Sequence, residues 1–415
     1  MPDCELGGGH RVFFIVAGSL CGLPVFVLAA QVSTALGLTS SRTAFILGGA
    51  ISGALGALSA YAGATTRMNL AMLAEHAFGR WGGELVKLVI ALCLVGWFGV
   101  ILSVLGSTAS TALLDISNAH VRPEWVSMSA SFAVALIALR GVAGLERLGM
   151  IIAPLLILLL LWTVSRDCGV TPFVVASAAP EKIGFDAAVS AVIGIYIVGI
   201  VIQPDYGRFV RRPGRAAFAS GMALAVAYPA ILAFSSIPAM KCGAPDLISV
   251  MVAVGIGVPA LALLFLGAWI DASVSLYSGC LSLTNQFRPL RLPWVIVCVA
   301  ILGCFLAALH AEQHFMPFLV ALGIALPPVA AVLVLDVFMR RPNTGAPAGR
   351  PPVRWTSCMA WFAGSVAGYG SQAGWISISG IASVDSILVA AAVVASRGIR
   401  EPGTRATKLL DGKLE

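Results

Sequence analysis

The sequence predicts an all-α polytopic membrane protein of about twelve spans, and three observations carry that prediction. Of the 415 residues, 59% are hydrophobic and 11% charged, against roughly 25% charged in a soluble domain, and the apolar excess covers the whole length. Apolar runs of about 20 residues recur throughout, each long enough to cross roughly 30 Å of hydrocarbon as a helix. The basic residues also sort by side. With both termini inside, Arg42, Arg122, Arg166, Lys182 and Lys241 fall outside and the other 21 of the 26 Lys and Arg fall inside. That asymmetry orients a polytopic chain, so both termini are expected in the cytoplasm. It also accounts for the net charge of +7 without a nucleic-acid partner.

Spans are expected at 12–36, 41–64, 82–110, 123–140, 144–164, 185–205, 215–239, 255–283, 291–310, 314–339, 354–371 and 374–396. Arg11 opens straight into the first of them with no cleavage site, so this helix is expected to remain in the protein. The segment 65–80, TTRMNLAMLAEHAFGR, is too polar to span and fits a short interfacial helix. Two spans look interrupted. The first contains AGSLCGLP from Ala17 to Pro24; the sixth contains Gly194 and Gly199, then Gln203-Pro-Asp205. Glycine and proline loosen the helical hydrogen-bond ladder, and unpaired backbone at membrane depth is tolerated only in a cavity or inside protein. Broken helices at matching positions of two halves point to a secondary transporter built from repeats. Spans 1 and 6 are five apart, which fits a first repeat at 12–164, a second at 185–339, two additional helices at 354–396 and a cytoplasmic tail at 397–415. The alternative for these glycines is ordinary helix packing.

Other chemistries find little support. The five histidines, His10, His76, His120, His310 and His314, lie near loops or span ends, and neither Gly-x-Ser-x-Gly nor His-Glu-x-x-His occurs, so no enzymatic site is expected. No nucleotide-binding loop or recurring ring of pore charges is present. The nine cysteines are scattered, mostly in apolar runs, and fit small core hydrophobes. Cys168 and Cys242 fall in loops on the same outer side, which leaves a bridge between them open. A non-transporting membrane sensor would keep the same helices.

Four stretches carry a resemblance. Gly96-Trp-Phe-Gly99 in span 3, Gln203-Pro-Asp-Tyr-Gly-Arg-Phe209 at the end of span 6, Trp269 with Leu276-Tyr277 in span 8, and Ala325-Leu-Pro-Pro-Val329 in span 10 resemble the cytosine permease branch of the nucleobase:cation symporter family. They keep their order from about residue 12 to 340. The resemblance implies a leucine-transporter-like five-plus-five inverted repeat with discontinuous helices 1 and 6, a pocket between spans 1, 3, 6 and 8, and import through a bacterial cytoplasmic (inner) membrane by alternating access. The implied substrate is a small planar heterocycle such as cytosine, another purine or pyrimidine, or a hydantoin. The implied coupling cation is H+ or Na+, with no cofactor; the lipid bilayer is the other partner, and a monomer suffices.

By the same resemblance, Trp97 and Tyr196 sandwich the base, and Leu94, Gly22, Gly194, Ile195 and Ser273 join them as candidate substrate contacts. Aromatic faces suit a flat ring; an aromatic that only packs is the alternative for Trp97. Two departures stand out. Cytosine members carry a glutamine where Leu94 stands, and leucine offers no hydrogen bond to a base edge, which redirects specificity. Gln31 and Gln203 are the amides left elsewhere, although Gln203 also suits a cap on span 6. Sodium-coupled relatives carry two hydroxyl residues directly after the span 8 tryptophan, where this chain has Ile270 and Asp271.

An ionisable side chain inside the membrane is expensive and by default functional. Asp271 fits two chemistries. It ligates sodium with the Gly267 carbonyl and carbonyls from Gly18 to Gly22, or it binds and releases a proton, low-dielectric surroundings favouring the neutral acid. A structural aspartate bonded to Ser33 or Ser275 is the third reading. Ser273 faces either the cavity or its own backbone. Asp385, in span 12 and outside the repeats, suits a structural or oligomer role. Asp205 with Arg208, and Asp336 with Arg340 and Arg341, sit at cytoplasmic helix ends, where spacings of three to five suit local ion pairs or an inner gate. Pro327 and Pro328 break span 10 and suit a hinge.

Overall fold

The computed structural model describes residues 7–20, 22–140, 183–242, 257–286, 290–340 and 351–398, with isolated helical positions at 154, 155, 158 and 162. These segments are nearly all helical: α1 (His10–Ser19), α2 (Leu23–Thr66), α3 (Leu70–Ser117), α4 (Pro123–Arg140), α5 (Phe185–Val201), α6 (Gln203–Gly207), α7 (Pro213–Met222), α8 (Tyr228–Cys242), α9 (Gly257–Gln286), α10 (Leu292–Ala308), α11 (Phe315–Ala325), α12 (Pro327–Arg340), α13 (Trp355–Gln372) and α14 (Ala382–Gly398). A π turn at Ala223–Ala227 joins α7 to α8, and a 3-10 turn at Ala311–His314 leads into α11. By length and composition, Leu23–Thr66, Leu70–Leu114, Pro213–Ile237 and Ala311–Met339 are able to cross a membrane. The expected fifth span, 144–164, and the tail from 399 lie outside the described residues, as do Cys168 and Arg341.

Two long helices are pairs joined at a glycine. α2 turns at Gly37 (φ 75°, ψ 167°), which separates the expected spans 1 and 2. α3 turns at Gly79 (φ 81°, ψ 176°), which separates the polar interfacial helix from span 3. Positive φ strains any residue with a Cβ, so glycine fits both corners. Beyond Gly37, α2 packs on α5 to α8. A Cβ on Gly53 would strike Ala225, and one on Gly63 would strike Pro204, so small residues set this close approach. α3 packs along α9, α11 packs on α5, and α13 pairs with α14.

The first interruption falls where the glycines and proline suggested. α1 ends at Ser19 and α2 starts at Leu23, with Pro24 in its first turn, a position where the missing N–H costs nothing. The sixth span breaks at only one of the two places expected, the Gln203-Pro-Asp205 stretch. The helix continues through Gly194 and Gly199 and turns at Ile202 instead. Pro204 removes the N–H that would continue the ladder, while the glycines keep theirs. The expected span at 374–396 also starts later, at Ala382. Asp385 holds the preceding turn: its carboxylate accepts from Ser371 Oγ (2.6 Å), Ser379 N (2.7 Å), Ser379 Oγ (2.6 Å) and Ile378 N (3.3 Å).

Candidate functional site

Three helices meet at the first break. Trp97 on α3 donates its indole N–H to Asp271 Oδ2 at 3.3 Å. The same oxygen stands 3.6 Å from where a Cβ on Gly22 would sit. Gly22 has extended backbone (φ −85°, ψ 155°) and caps α2 with no side-chain hydrogen bond. The N-terminal end of a helix carries unpaired N–H groups and partial positive charge, so the carboxylate faces a favourable pole. Among the described residues no Lys, Arg or His pairs with Asp271. Ser33 donates to the Ala30 carbonyl (3.1 Å) instead, which removes it as a partner for Asp271.

α3 and α9 run antiparallel beside one another. Trp97 lies at the level of Asp271, Leu94 at that of Gly279, and Glu84 at that of Gln286, whose Nε2 donates to the Glu84 carbonyl. A Cβ on Gly279 would lie 3.3 Å from Leu94 Cβ, so Leu94 fills the contact between the two helices. α9 runs unbroken through Gly267 and Asp271. The Gly267 carbonyl therefore stands opposite the Asp271 N–H in the helical ladder. Ser273 is buried and its hydroxyl donates to the Trp269 carbonyl at 2.7 Å, so it bonds back to its own helix.

Tyr196 reaches the same break from α5. Its hydroxyl is 3.0 Å from Ser19 Oγ, and Ser19 is also 2.8 Å from the Val16 carbonyl in the last turn of α1. A Cβ on Gly199 would lie 2.6 Å from the Tyr196 ring, so the ring lies down over that glycine. Gly18 occupies the same last turn of α1. Gly194 is buried against the Leu319 carbonyl and Gly323 of α11, where a Cβ would collide. Its small size thus serves helix packing, and Ile195 beside it is also buried. Phe318 stacks on Trp97 (centroids 6.4 Å, 22°) and Phe315 tilts against it (6.4 Å, 36°). Ser19, Phe315 and Phe318 were not singled out in the sequence. A hydroxyl one turn before a helix break was the available signal for Ser19.

The remaining candidates lie away from this cluster. Gln31, its Oε1 buried without a partner, sits nine residues beyond Gly22, about 13 Å along the helix. Gln203 is buried with neither amide atom bonded, so it does not cap α6. Asp205 accepts from Leu70 N at 2.7 Å, at the start of the interfacial helix, and Arg208 lies over the Phe209 ring at 4.7 Å. Asp336 is reached from two other elements, by His76 Nδ1 at 2.5 Å and Arg354 Nη1 at 3.1 Å. Pro327 and Pro328 follow a true interruption at Leu326. Among the described residues no group of three or more His, Cys, Asp or Glu is arranged to hold a metal ion.

Residues 8–346 match the family model for a permease for cytosine/purines, uracil, thiamine and allantoin. The chain belongs to that permease family. Cytosine permeases of Escherichia coli O157:H7 and strain K12 are each 25% identical over 394 residues, covering 94% of this chain and 90% of theirs. Two structures of Mhp1, a nucleobase-cation-symport-1 family transporter, share the fold. The inward-facing form aligns with TM-score 0.77 at 17% identity, covering 97% of this chain and 93% of that one. The closed form with bromovinylhydantoin bound gives 0.74 at 16%, covering 96% and 93%. A Na+-coupled sialic acid symporter in a substrate-bound outward-open state aligns with TM-score 0.60 at 13% identity, covering 94% and 96%. Family and apolar helices together make this a multi-pass membrane protein of the nucleobase:cation symporter family.

Proposed function

We propose that the protein is an ion-coupled symporter that imports a nucleobase such as cytosine, or a related planar heterocycle, through a bacterial inner membrane. It works by alternating access, with twelve spans, both termini in the cytoplasm, and repeats at 12–164 and 185–339. The substrate lies between Trp97 and Tyr196, and Asp271 carries the coupling cation. A monomer suffices, since both aromatic faces and the carboxylate come from one chain.

The observation that supports this reading best is the Trp97–Asp271 hydrogen bond beside the Gly22 break. It brings an aromatic platform, an acid and a free helix end together in the interior of a permease. The relatives are named as cytosine permeases, and one structural neighbour holds a hydantoin. The test is uptake of radiolabelled cytosine in a permease-deficient bacterium, in competition with unlabelled purines, pyrimidines and hydantoins. Sodium and pH are varied separately at fixed membrane potential. Uptake that ignores both gradients would remove the symporter reading.

A further inference from the structure

We infer that Asp271 itself reads the substrate edge, as a neutral carboxylic acid, so that one side chain binds both the coupled proton and the heterocycle. The inference rests on the transport reading above and names the chemistry of its site.

It starts from what is left to recognise a polar ring. Leu94 offers no hydrogen bond and is packed on Gly279. Ser273 is bonded to the Trp269 carbonyl. The Trp97 indole N–H is given to Asp271 Oδ2. Tyr196 and Ser19 are bonded to one another. Of the candidate contacts, Asp271 alone keeps an oxygen, Oδ1, with no hydrogen-bond partner among the described residues. Trp97 fixes its orientation. The indole nitrogen lies on the ring edge, so the carboxyl stands at the edge of the platform on which a flat base would stack. A base lying on Trp97 would present its own edge to that oxygen.

Protonation decides what this edge offers. The ionised carboxylate is acceptor-only. The acid offers a donor on Oδ1 and an acceptor on Oδ2, where a second lone pair remains beside the indole bond. That adjacent pair complements an acceptor next to a donor on a ring edge, either an amidine N=C–NH2 or a lactam O=C–N–H. The ionised form would set an oxygen against the ring acceptor with no proton between them. Proton and substrate therefore bind together, which is symport by direct contact. Among the described residues no Lys, Arg or His is paired with Asp271, and the other titratable side chains on its own helix are Tyr277 and Cys280. Tyr196 faces Asp271 from α5. On α3, Cys93 is one turn before Trp97, Lys87 nearly three turns and Glu84 more than three turns before it, and Lys87 is paired with Glu75 and Glu84. Glu312, held by Ser103, is two turns the other way, near His310 and Glu124 of α4. Cys298 and Cys304 lie on α10, and α2 has no titratable side chain between Gly22 and Arg42.

The experiment uses the full chain in proteoliposomes, first by counterflow of radiolabelled cytosine, adenine and uracil. For each probe that exchanges, binding is then measured from pH 5 to pH 9 in wild type, Asp271→Asn and Asp271→Ala, with sodium absent and present. The expected wild-type affinity is highest at low pH and falls about tenfold per pH unit once the acid ionises, the slope for one linked proton. Asp271→Asn keeps a donor and an acceptor permanently. It is expected to bind within about threefold of the wild-type maximum at every pH. It should exchange substrate and fail to accumulate it. Asp271→Ala should lose binding. A wild-type affinity that is flat with pH, or an Asp271→Asn variant that loses binding as fully as Asp271→Ala, overturns the inference. The wild-type pH profile decides the question even if a variant misfolds. No exchange of any probe by the wild type overturns the transport reading, and this inference with it.

Discussion

Tyr196 and Ser19, 177 residues apart, are joined hydroxyl to hydroxyl at 3.0 Å. The bond ties α5 to the last turn before the break in the first span. It sets the pose of an aromatic ring that already lies flat because Gly199 has no Cβ in its way. Ser19→Ala and Tyr196→Phe each remove one half of this bond and leave the ring in place. A hydrogen bond of this kind contributes about 1 kcal/mol, so each variant should raise KM about fivefold. The double variant should cost little more than either single one, because both remove the same contact. Gly199→Ala should do more harm than either, since the new methyl displaces the ring. Uptake kinetics on the four variants check this, and additive losses in the double variant would show that the two hydroxyls act separately.

Asp385 has a different task. Its four accepted hydrogen bonds, from Ser371, Ile378 and Ser379, fasten the turn between α13 and α14. Asp385→Ala leaves two backbone N–H groups and two hydroxyls seeking new partners. The expected cost is about 2 kcal/mol, or on the order of 4 °C in the melting temperature of purified protein. Transport per folded molecule should be unchanged, because Asp385 is remote from Trp97 and Asp271 in the chain and touches neither. A large fall in specific activity with an unaltered melting temperature would contradict this structural role.

These two residues show what a sequence discloses and what it withholds. The helices were legible because apolar length is a local property, and α4 follows the expected limits of 123–140. The first break was legible for the same reason, since Gly22 and Pro24 act on their own backbone. The second was half legible: Gln203-Pro204 does follow the turn at Ile202, whereas Gly194 packs closely against α11 and Gly199 makes room for the Tyr196 ring, so neither glycine breaks α5. Partnerships across the chain left no mark. Nothing in the spacing of Trp97 and Asp271 announces their bond. Asp336 seemed destined for arginines four and five residues on, yet His76 reaches it from 260 residues away. The apolar run after Gly374 looked like helix. Asp385 captures its backbone N–H groups, and the helix starts at Ala382.

The Asp336 junction makes its own prediction. His76 lies in the interfacial stretch of α3, Asp336 near the end of α12, and Arg354 caps α13 while its N–H donates to the Phe78 carbonyl at 2.8 Å. Ser357 Oγ adds a bond to the Ala77 carbonyl at 2.6 Å. Three elements are thus clamped at the end of the bundle assigned to the cytoplasm. Asp336→Asn keeps the shape and removes the charge that the Arg354 guanidinium and the His76 ring face. It should cost about 2 kcal/mol, less than a fully buried pair, because His76 and Arg354 retain some solvent. The accompanying effect should be on turnover rather than on KM, since none of the three touches the candidate pocket. Parallel measurement of kcat and KM separates these outcomes, and a selective rise in KM would place the junction in substrate binding.

The break in α11–α12 makes the last case. Val329 N bonds to the Leu326 carbonyl (2.9 Å), which leaves the Ala325 carbonyl outside the helical ladder. Trp361 Nε1 of α13 takes it up at 2.8 Å, with Ser365 Oγ behind at 3.5 Å. A side chain from a neighbouring helix therefore satisfies the group that the prolines release, and the interruption persists because α13 supports it. Trp361→Phe keeps most of the ring volume and deletes the donor. The orphaned carbonyl should cost about 1–3 kcal/mol. Part of that is recovered if Ser365 moves closer, so Trp361→Phe with Ser365→Ala should be worse than the sum of the single changes. If Pro327 and Pro328 form a hinge, loss of this bond should also alter how the α11 half moves against the α12 half. A cysteine placed on α11 and one on α12 would report that as a changed rate of labelling in the presence of substrate. Unchanged stability and unchanged labelling in the double variant would mean that the Ala325 carbonyl finds another donor and that α13 does not support the break.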